Sequence, residues 1–564
     1  MHDSERKISY FVLSAAWLLS CAKEGFPPGG PEDKSPPEVV ATVPGNAALE
    51  VNPHTIVEIL FSEPVQPNSA ESAVFISPYP GDVRYKWRGP RLKIEFPEPL
   101  RTDRTYVVNI GTGLKDYRQN LMKKGYTLAF STGSVLDTGK MSGRVFGQGQ
   151  MQGVDVWAYG MPDSLDPDPR RQEPEYRVQC DAQGRFEFLH MAPGIYRVFA
   201  LRDRISDRKY RPMEDEIGMT WRDIRVPQED SAGVSDVLFR LGMEDTLAFS
   251  LAGISPVHRG MVSLQFNDAV EPWTPAGRDP LALFQSADSA ALRVKAVLMD
   301  ARNANRILVL TEDQVPGTEY CISWDSLYGR SGNPLDSASR HACFTGIADR
   351  DSIGPALFEA VPKQKDRNVA GHAEIRMLFS EPMDTSLFPR GFSLADTSGN
   401  PVSGSFKWEN LVLASFKPMM DLQGKTPYRI RLDSAYVRDF SGNAGPDTLY
   451  GFTTGNPDTF SEVSGEVSDL KPHACGDIHI RAIKTGGQET VEYEDVLAAP
   501  GSYRIERMLP GRYVIECYRD EDGNGRYSPG RPCPFEPSER FAVYKDTLAV
   551  KPRWPNEGNH LNLP

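Results

Sequence analysis

A short motif, Phe61–Val65 (FSEPV), recurs along the chain and divides it into similar units. It returns as Phe379–Met383 (FSEPM) and, in looser form, as Phe266–Val270 (FNDAV). Each copy follows an alternating apolar run, and about 70 to 80 residues later an aromatic residue followed by Ser or Thr and then Gly closes the unit. A segment that opens and closes in the same way three times indicates a repeated domain.

The residues within these units favour short strands. Arg91–Phe96 and Thr105–Ile110 are apolar-rich runs, the first strictly alternating, and Gly, Pro, Asn and Asp separate such runs. Alternation buries one face of a strand and leaves the other wet, which is typical of antiparallel sheets. A chain of 564 residues is too long for one core. The sequence therefore predicts an all-β protein of tandem antiparallel β-sandwiches.

Three units resemble the bacterial Ig-like domain of S-layer-type proteins. In the first unit the resemblance rests on Phe61–Val65, Leu100–Ile110, Asp116–Leu121 and Phe130–Gly133. Gln119 stands where the family pattern has Gly before Asn, whereas the last unit keeps the Gly-Asn pair. The resemblance implies Ig-like domains at residues 38–134, 245–347 and 353–456.

Two further segments show a different motif. Gly184–Val198 resembles the core of transthyretin-like, carboxypeptidase-regulatory-type domains, with Pro-Gly forming a tight turn and Tyr196 filling the sandwich. Leu509–Ile515 repeats the Pro-Gly-x-Tyr part. The resemblance implies transthyretin-like domains at residues 138–242 and 460–564, of which the first lies between two Ig-like units and the second ends the chain.

The amino terminus contains an apolar run, Ile8–Ser20, that is too short for a permanent membrane span. It follows Arg6 and Lys7 and ends at Cys21, an arrangement that resembles the lipobox of bacterial lipoproteins. The resemblance implies a signal peptide over residues 1–20, lipidation of Cys21 and a Pro/Gly-rich tether over residues 21–37. The alternative is an uncleaved anchor or a buried first helix with an incidental cysteine.

The charge balance restricts the partners. The net charge is −13, the pI is about 5.4, and the sequence has no Lys/Arg stripe, so nucleic acid is not an expected partner. We expect a membrane partner through the lipid anchor, and an envelope protein or a glycan as the bound component. The expected location is the cell envelope, with the outer membrane or cell surface favoured over the inner membrane.

One loop, Asp520–Gly530, has the spacing of a calcium loop. Asp520, Asp522 and Asn524 alternate, and Arg526 could add its carbonyl oxygen, as in the first half of an EF-hand loop. Arg531 stands where that loop has its bidentate Glu, so an ion would need water or a distant carboxylate such as Glu536. A polar hairpin loop whose side chains bond their own backbone explains the same residues, and both interpretations stay open.

An exported protein can form disulfides. Cys321 and Cys343 fall on two strands expected to be neighbours in the second Ig-like unit, so a disulfide between them is predicted. Of Cys475, Cys517 and Cys533 in the last domain, one pair and one free thiol are expected, with the pairing open. Cys180 has no neighbouring cysteine in its domain and is expected to be a buried apolar residue.

No catalytic residues are predicted, because the usual hydrolase, metalloprotease and nucleotide-binding signatures are missing from the sequence. The carboxylates of Glu63 and Glu381 could bind something, but a simpler interpretation places each on a turn after a buried Phe. The sequence thus favours a non-catalytic envelope scaffold or binding protein. The alternatives are an adhesin or carbohydrate-binding protein, and an accessory subunit of a peptidase or hydrolase.

Overall fold

The structure is a computed structural model that describes residues 34–161, 166–205, 207–227, 233–271, 281–300, 302–324, 327–486 and 492–564. Within this part of the chain, contacts define two compact units. The first contains the residues up to Pro167, Gln172–Arg208 and Asp223–Val237, and the second contains Asp168–Arg171, Lys209–Arg222 and Leu238–Pro564. Both units consist mainly of antiparallel strands, which confirms the predicted fold class.

The first unit begins with a two-sheet sandwich. Its elements are β1 (Val39–Val43), β2 (Val57–Phe61), α1 (Pro67–Ala73), β3 (Val74–Ser77), β4 (Arg84–Arg88), β5 (Arg91–Glu95), β6 (Thr105–Ile110) and β7 (Tyr126–Ser131). One sheet has the order β1-β2-β5-β4 and the other β3-β6-β7. Along β5, Leu92 and Ile94 are buried in the core between the sheets while Arg91 points outward, as the alternation predicts.

The predicted domain at residues 138–242 contributes strands to both units. These strands are β8 (Gly139–Phe146), β9 (Asp155–Gly160), β10 (Tyr176–Gln179), β11 (Arg185–Met191), β12 (Gly194–Arg202), β13 (Glu216–Met219), β14 (Ile224–Val226), β15 (Val234–Arg240) and β16 (Gly242–Met243). In the first unit, β9 lies between β10 and β12, β14 pairs with β12, and β11 pairs with β8. In the second unit, β13 pairs with β16.

The second unit contains two more sandwiches, and the order of strands in their sheets is the same as in the first sandwich. One has β17 (Leu251–His258), β18 (Met261–Phe266), β19 (Leu281–Gln285), β20 (Val294–Met299), β21 (Arg306–Thr311), β22 (Glu319–Trp324), a 3₁₀ turn (Ala338–Arg340) and β23 (His341–Thr345). The other has β24 (Leu357–Val361), β25 (Ile375–Phe379), α2 (Phe388–Gly391), β26 (Phe392–Asp396), β27 (Gly404–Trp408), β28 (Leu413–Pro418), β29 (Pro427–Leu432) and β30 (Thr448–Thr453). Their sheets run β17-β18-β21-β20 with β19-β22-β23, and β24-β25-β28-β27 with β26-β29-β30.

The last sandwich of the second unit follows a 3₁₀ turn (Pro457–Thr459). Its strands are β31 (Ser461–Asp469), β32 (Asp477–Lys484), β33 (Glu492–Leu497), β34 (Gly501–Met508), β35 (Gly511–Asp520), β36 (Arg531–Pro532), β37 (Phe535–Glu536), β38 (Phe541–Val543), β39 (Leu548–Val550) and β40 (Leu561–Leu563). One sheet has the order β34-β31-β40, in which β31 and β40 are parallel. The other runs β33-β32-β35-β38, with β39 also paired to β35, and β36 and β37 form a separate hairpin.

A buried tyrosine holds the same place in three of the sandwiches. Its hydroxyl accepts a hydrogen bond from the N–H of the residue five positions earlier, and its ring stacks on the aromatic residue that closes the unit. These tyrosines are Tyr106, Tyr320 and Tyr428. The segment at residues 245–347, whose opening motif is the loosest copy, therefore keeps the internal arrangement of the other two Ig-like units.

The two segments with the Pro-Gly-x-Tyr motif share a different pair of tyrosines. Tyr196 donates its hydroxyl hydrogen to the Ala192 carbonyl at 2.8 Å, and Tyr176 accepts from the Ala192 N–H. In the last sandwich, Tyr513 donates to the Leu509 carbonyl in the same way. The tyrosine thus closes the turn that precedes it, and Tyr196 and Tyr513 are both buried, as the motif predicts. Among the described residues, no helix has the length and apolarity needed to cross a membrane.

Candidate functional site

The repeated motif places a phenylalanine in each core and a carboxylate just outside it. Phe61, Phe266 and Phe379 end β2, β18 and β25 and are buried, which confirms their expected packing role. Past the proline, the backbone of Val65 bridges to that of Asp116, and Met383 bridges to Asp439 in the same way. The turn that carries the Glu therefore packs against the turn that carries the Asp. The sequence did not predict this contact.

The Asp of that second turn organises its own loop. Asp439 Oδ1 accepts from the Asn443 N–H at 2.8 Å, and its Oδ2 accepts from the Asn443 side-chain amide at 2.8 Å. Asp116 makes the corresponding contacts with Asn120. Although burial acts to raise it, these hydrogen bonds hold the pKa of Asp116 below its usual value. The Asp-to-Asn pattern is thus a structural turn in both domains. In the second Ig-like unit, Gly329 occupies the bridged position.

The Asp520–Gly530 loop brings two of its four predicted ligands together with a carboxylate from outside the loop. The loop connects β35 to β36, and oxygen atoms of Asp520, Asp522 and Glu539 all lie within 4.8 Å of one another. Asn524 is held beside them, because its N–H donates to Asp520 Oδ1 and its side-chain amide to Asp522 Oδ2. These oxygens are of the type that calcium prefers.

Glu539 replaces Glu536 as the distant carboxylate, which corrects the expectation from sequence. Glu536 is exposed on β37 and its Oε2 lies 3.7 Å from Arg531. Glu539, just before β38, is buried and accepts from the N–H groups of Glu521 and Ser528. Burial, with added repulsion from Asp522 and Asp520, raises the pKa of Glu539 to about 7. It reaches the loop because β38 pairs with β35.

The remaining loop contacts also fit a polar hairpin. Asn524 Oδ1 accepts from the Arg526 N–H at 2.7 Å, and Asp522 Oδ2 accepts from the Ser528 hydroxyl at 2.6 Å. The Arg526 guanidinium pairs with Glu271 in the second Ig-like unit. Side chains that bond their own backbone account for such a loop without an ion. Calcium binding at Asp520, Asp522, Asn524 and Arg526 therefore stays a prediction.

The cysteines fall into two groups. Cys321 and Cys343 face each other on β22 and β23, with Cα atoms 4.1 Å apart, and are joined by a disulfide. Cys475, Cys517 and Cys533 are all free thiols, so the expected pair in the last sandwich was wrong. The reason is that Cys517 points into the core from β35, whereas Cys475 is exposed. Cys180 is buried, as expected, and burial raises the pKa of its thiol.

The predicted leader lies outside the described residues. Residues 1–33, which include Cys21 and most of the tether, are not among the residues that the structure describes. Their roles therefore stay predictions from the sequence.

Comparison with known proteins identifies two of the sandwiches. Residues 33–132 and 351–454 match the bacterial Ig-like domain family, so the chain contains two domains of that family. The family match leaves the carboxypeptidase-regulatory resemblance as a prediction. No curated protein matches the sequence.

Solved structures show only distant similarity. The chain is 13% identical to the N-terminal part of the bacterial S-layer protein SbsC, over 36% of this chain and 44% of that one, with a TM-score of 0.16. For domains 1–6 of SbsC the identity is 10%, over 98% and 70% of the two chains, with a TM-score of 0.14. For L,D-transpeptidase 3 from Mycobacterium tuberculosis the identity is 13%, over 26% of this chain and 46% of that one, with a TM-score of 0.13. The chain thus spans less than half of the first and third proteins, and these scores support no inference about activity.

Proposed function

We propose that the protein is a non-catalytic scaffold or binding protein of the cell envelope, anchored by a lipid on Cys21. The observation that carries the proposal is the tandem arrangement of β-sandwiches, two of which match the bacterial Ig-like family. Small rigid sandwiches in series suit a spacer or a binding surface, and Pro-rich residues such as Pro27, Pro28 and Pro31 suit a tether. A net charge of −13 suits a well-solvated protein outside the cytoplasm.

A carbohydrate-binding function has weaker support. Sugars stack on exposed aromatic rings, and Trp554 is 71% exposed. Of the other five described tryptophans, Trp87, Trp324 and Trp408 pack against or within the Ig-like cores and Trp157 is fully buried. The ring of Trp221 is partly buried and is covered by Arg222 and Lys471. The tryptophans thus serve mainly as core residues. The role of an accessory subunit to a peptidase or hydrolase rests only on the transthyretin-like resemblance.

The anchor is tested in the producing cells. Wild-type protein is expected to incorporate a clickable fatty-acid analogue and to fractionate with membranes, because the lipobox directs acylation to Cys21. Cys21→Ser should remove the label and release the protein into the soluble fraction. The matched control is Cys475→Ser, which removes an exposed thiol and should leave both labelling and fractionation unchanged. Unchanged membrane retention of the Cys21→Ser protein would refute the anchor.

The scaffold role is tested by crosslinking in intact cells. The anchored protein is expected to crosslink to envelope proteins or to cell-wall glycan, and these products should disappear when Cys21→Ser moves the protein away from the membrane. Crosslinking to soluble cytoplasmic proteins alone would contradict an envelope function.

A further inference from the structure

A second group of carboxylates lies where the second Ig-like unit meets the third. It starts from the turn after β25, where the Phe440 N–H donates to the Pro382 carbonyl at 2.9 Å. This bond and the bridge between Met383 and Asp439 set Glu381 beside Asp439. A third acid, Asp351, lies in the segment that joins the second Ig-like unit to the third. Oxygen atoms of Asp351, Glu381 and Asp439 all lie within 4.8 Å of one another.

These three acids are poorly neutralised. The Asp351 side chain is 8% exposed and Asp439 is 2% exposed, so water screens their charges little. Burial, reinforced by repulsion from Asp351 and Asp439, raises the pKa of Glu381 to about 8, and only Arg302 acts in the opposite direction. Among the described residues, no Lys or Arg nitrogen forms an ion pair with any of the three.

An independent feature of the other domain faces the same group. His258, at the end of β17, is 8% exposed, and its Nδ1 accepts from the Gly260 N–H at 3.1 Å. The neutral ring therefore carries its hydrogen on Nε2. That nitrogen is buried, lies 3.6 Å from Asp351 Oδ2 and makes no hydrogen bond. A buried donor that stops short of an acceptor is costly, and a small inward movement of Asp351 would satisfy it.

We propose that the carboxylates of Asp351, Glu381 and Asp439 bind one calcium ion at this junction, with His258 as a positioning residue for Asp351. A divalent cation offsets the three like charges and draws the carboxylates together, which also closes the gap to His258 Nε2. Calcium fits an all-oxygen set and tolerates irregular geometry, whereas zinc favours nitrogen and sulfur ligands. His258 is not counted as a ligand, because its Nδ1 accepts a backbone hydrogen bond and its Nε2 carries the hydrogen.

The ion would fasten two domains that already touch. The Arg259 N–H donates to the Asp349 carbonyl at 2.8 Å, and Leu411 of the third unit packs on Met261, Leu308 and Leu310 of the second. With ligands from the third unit and the connecting segment, and His258 from the second, a bound ion would stiffen this junction. Asp439 is buried and Asp351 and Glu381 are partly buried, so the arrangement suits a structural ion. The site does not depend on the proposed scaffold function.

The first test counts bound ions. The purified full chain is stripped with a chelator and titrated with calcium in a calorimeter. Glu381→Gln is expected to bind one calcium fewer per chain than the wild type, because it removes one of the three carboxylates of the site. The matched control is Glu63→Gln, the same motif position in the first Ig-like domain, which should leave the junction ion unchanged. Asp522→Asn separates the Asp520–Gly530 loop, since it should not remove the Glu381-dependent ion.

Thermal unfolding then separates a ligand from a merely structural residue. In chelator, Glu381→Gln should be at least as stable as the wild type, because it removes an acid that burial and two neighbouring carboxylates make costly to ionise. In millimolar calcium, the order should reverse, since only the wild type gains binding energy. A Glu381→Gln protein that is less stable than the wild type in chelator and in calcium alike would overturn the proposal. So would equal calcium counts for the two proteins, or binding of zinc but not calcium.

The role of His258 has its own readout. His258→Ala should weaken calcium binding about 10-fold, as loss of a supporting hydrogen bond to a metal ligand does. His258→Gln, which can present an N–H near the Nε2 position, should recover most of the affinity. If both variants bind calcium as the wild type does, His258 does not position Asp351.

Discussion

At the scale of single residues, Asp469 in the last sandwich is a fully buried charge. Its side chain has no exposed surface and lies between two buried guanidinium groups, those of Arg519 at 3.0 Å and of Arg540. Removing one member of a buried ionic group leaves the others uncompensated, at a cost of about 3–5 kcal/mol. We expect Asp469→Asn to lower the free energy of unfolding of this sandwich by that amount. Hydrogen exchange of β31 and β35 in the full chain measures it.

The control is Glu466→Gln, an exposed acid on the same strand that should change exchange rates little. Equal protection of β31 in the Asp469→Asn and wild-type proteins would contradict the importance of this group.

The Asp520–Gly530 loop gives a second prediction at this scale. If it binds calcium, millimolar calcium should slow hydrogen exchange in the loop, because the ion pulls Asp520, Asp522 and Glu539 together. Asp522→Asn keeps the shape of the side chain but removes a charge, and should abolish the slowing. Glu381→Gln should leave it intact. A loop whose exchange rate is unaffected by calcium is a polar hairpin, and the calcium hypothesis for this loop then fails.

The same residues show what the sequence could predict. Asp520 and Asp522 alternate within one loop, so local spacing was enough to bring them together. Glu539 depends on the pairing of β38 with β35, and Asp439 meets Glu381 only through a bridge between two distant turns. Local patterns do not encode such pairings, because the register between distant segments is decided by tertiary packing.

At the scale of elements, the disulfide between β22 and β23 tests the expected oxidising environment. The two cysteines are 22 residues apart, and closing a loop of this size stabilises a domain by about 3 kcal/mol. Replacing both Cys321 and Cys343 with Ser should therefore lower the free energy of unfolding of the second Ig-like unit by about that amount. Hydrogen exchange of β22 in the full chain measures the change.

A reducing agent provides the control for this prediction. It should destabilise the wild-type protein to the level of the double variant and leave the double variant unchanged. If reduction affects both proteins equally, the stabilisation comes from elsewhere in the chain.

Strands were easier to predict than the positions of their cysteines. β6 spans Thr105–Ile110, as the apolar run indicates, and β5 lies within the predicted Arg91–Phe96. Such runs predict strands well, because the residues on one face of each strand must be apolar to pack in the core. The three cysteines of the last sandwich were assigned a disulfide from compartment and number alone. That reasoning does not say which way a cysteine side chain points. Cys517 points into the core and forms no disulfide.

At the scale of the whole molecule, raised carboxyl pKa values, among them those of Glu381 and Glu539, give the metal-free protein an unusual pH dependence. Glu381 and Glu539 have pKa values of about 8 and about 7 in the folded chain, against an ordinary value of 4.5. Above pH 4.5 the folded protein therefore holds protons that the unfolded chain has released, so stability falls as the pH rises through these folded pKa values. His258 acts oppositely, because burial lowers its pKa from 6.5, but this contribution fades as the pH rises above 6.5 and the ring becomes neutral in the unfolded chain as well.

The cleanest window thus lies between pH 6.5 and pH 8. In chelator, the thermal midpoint of the full chain should fall across this window, and the double variant Glu381→Gln with Glu539→Gln should flatten the decline. Calcium should reverse the slope in the wild type, because an ion that competes with protons for the same carboxylates binds more tightly as the pH rises. A midpoint that is independent of pH in chelator, or that declines equally in the double variant, would show that neither acidic group controls stability.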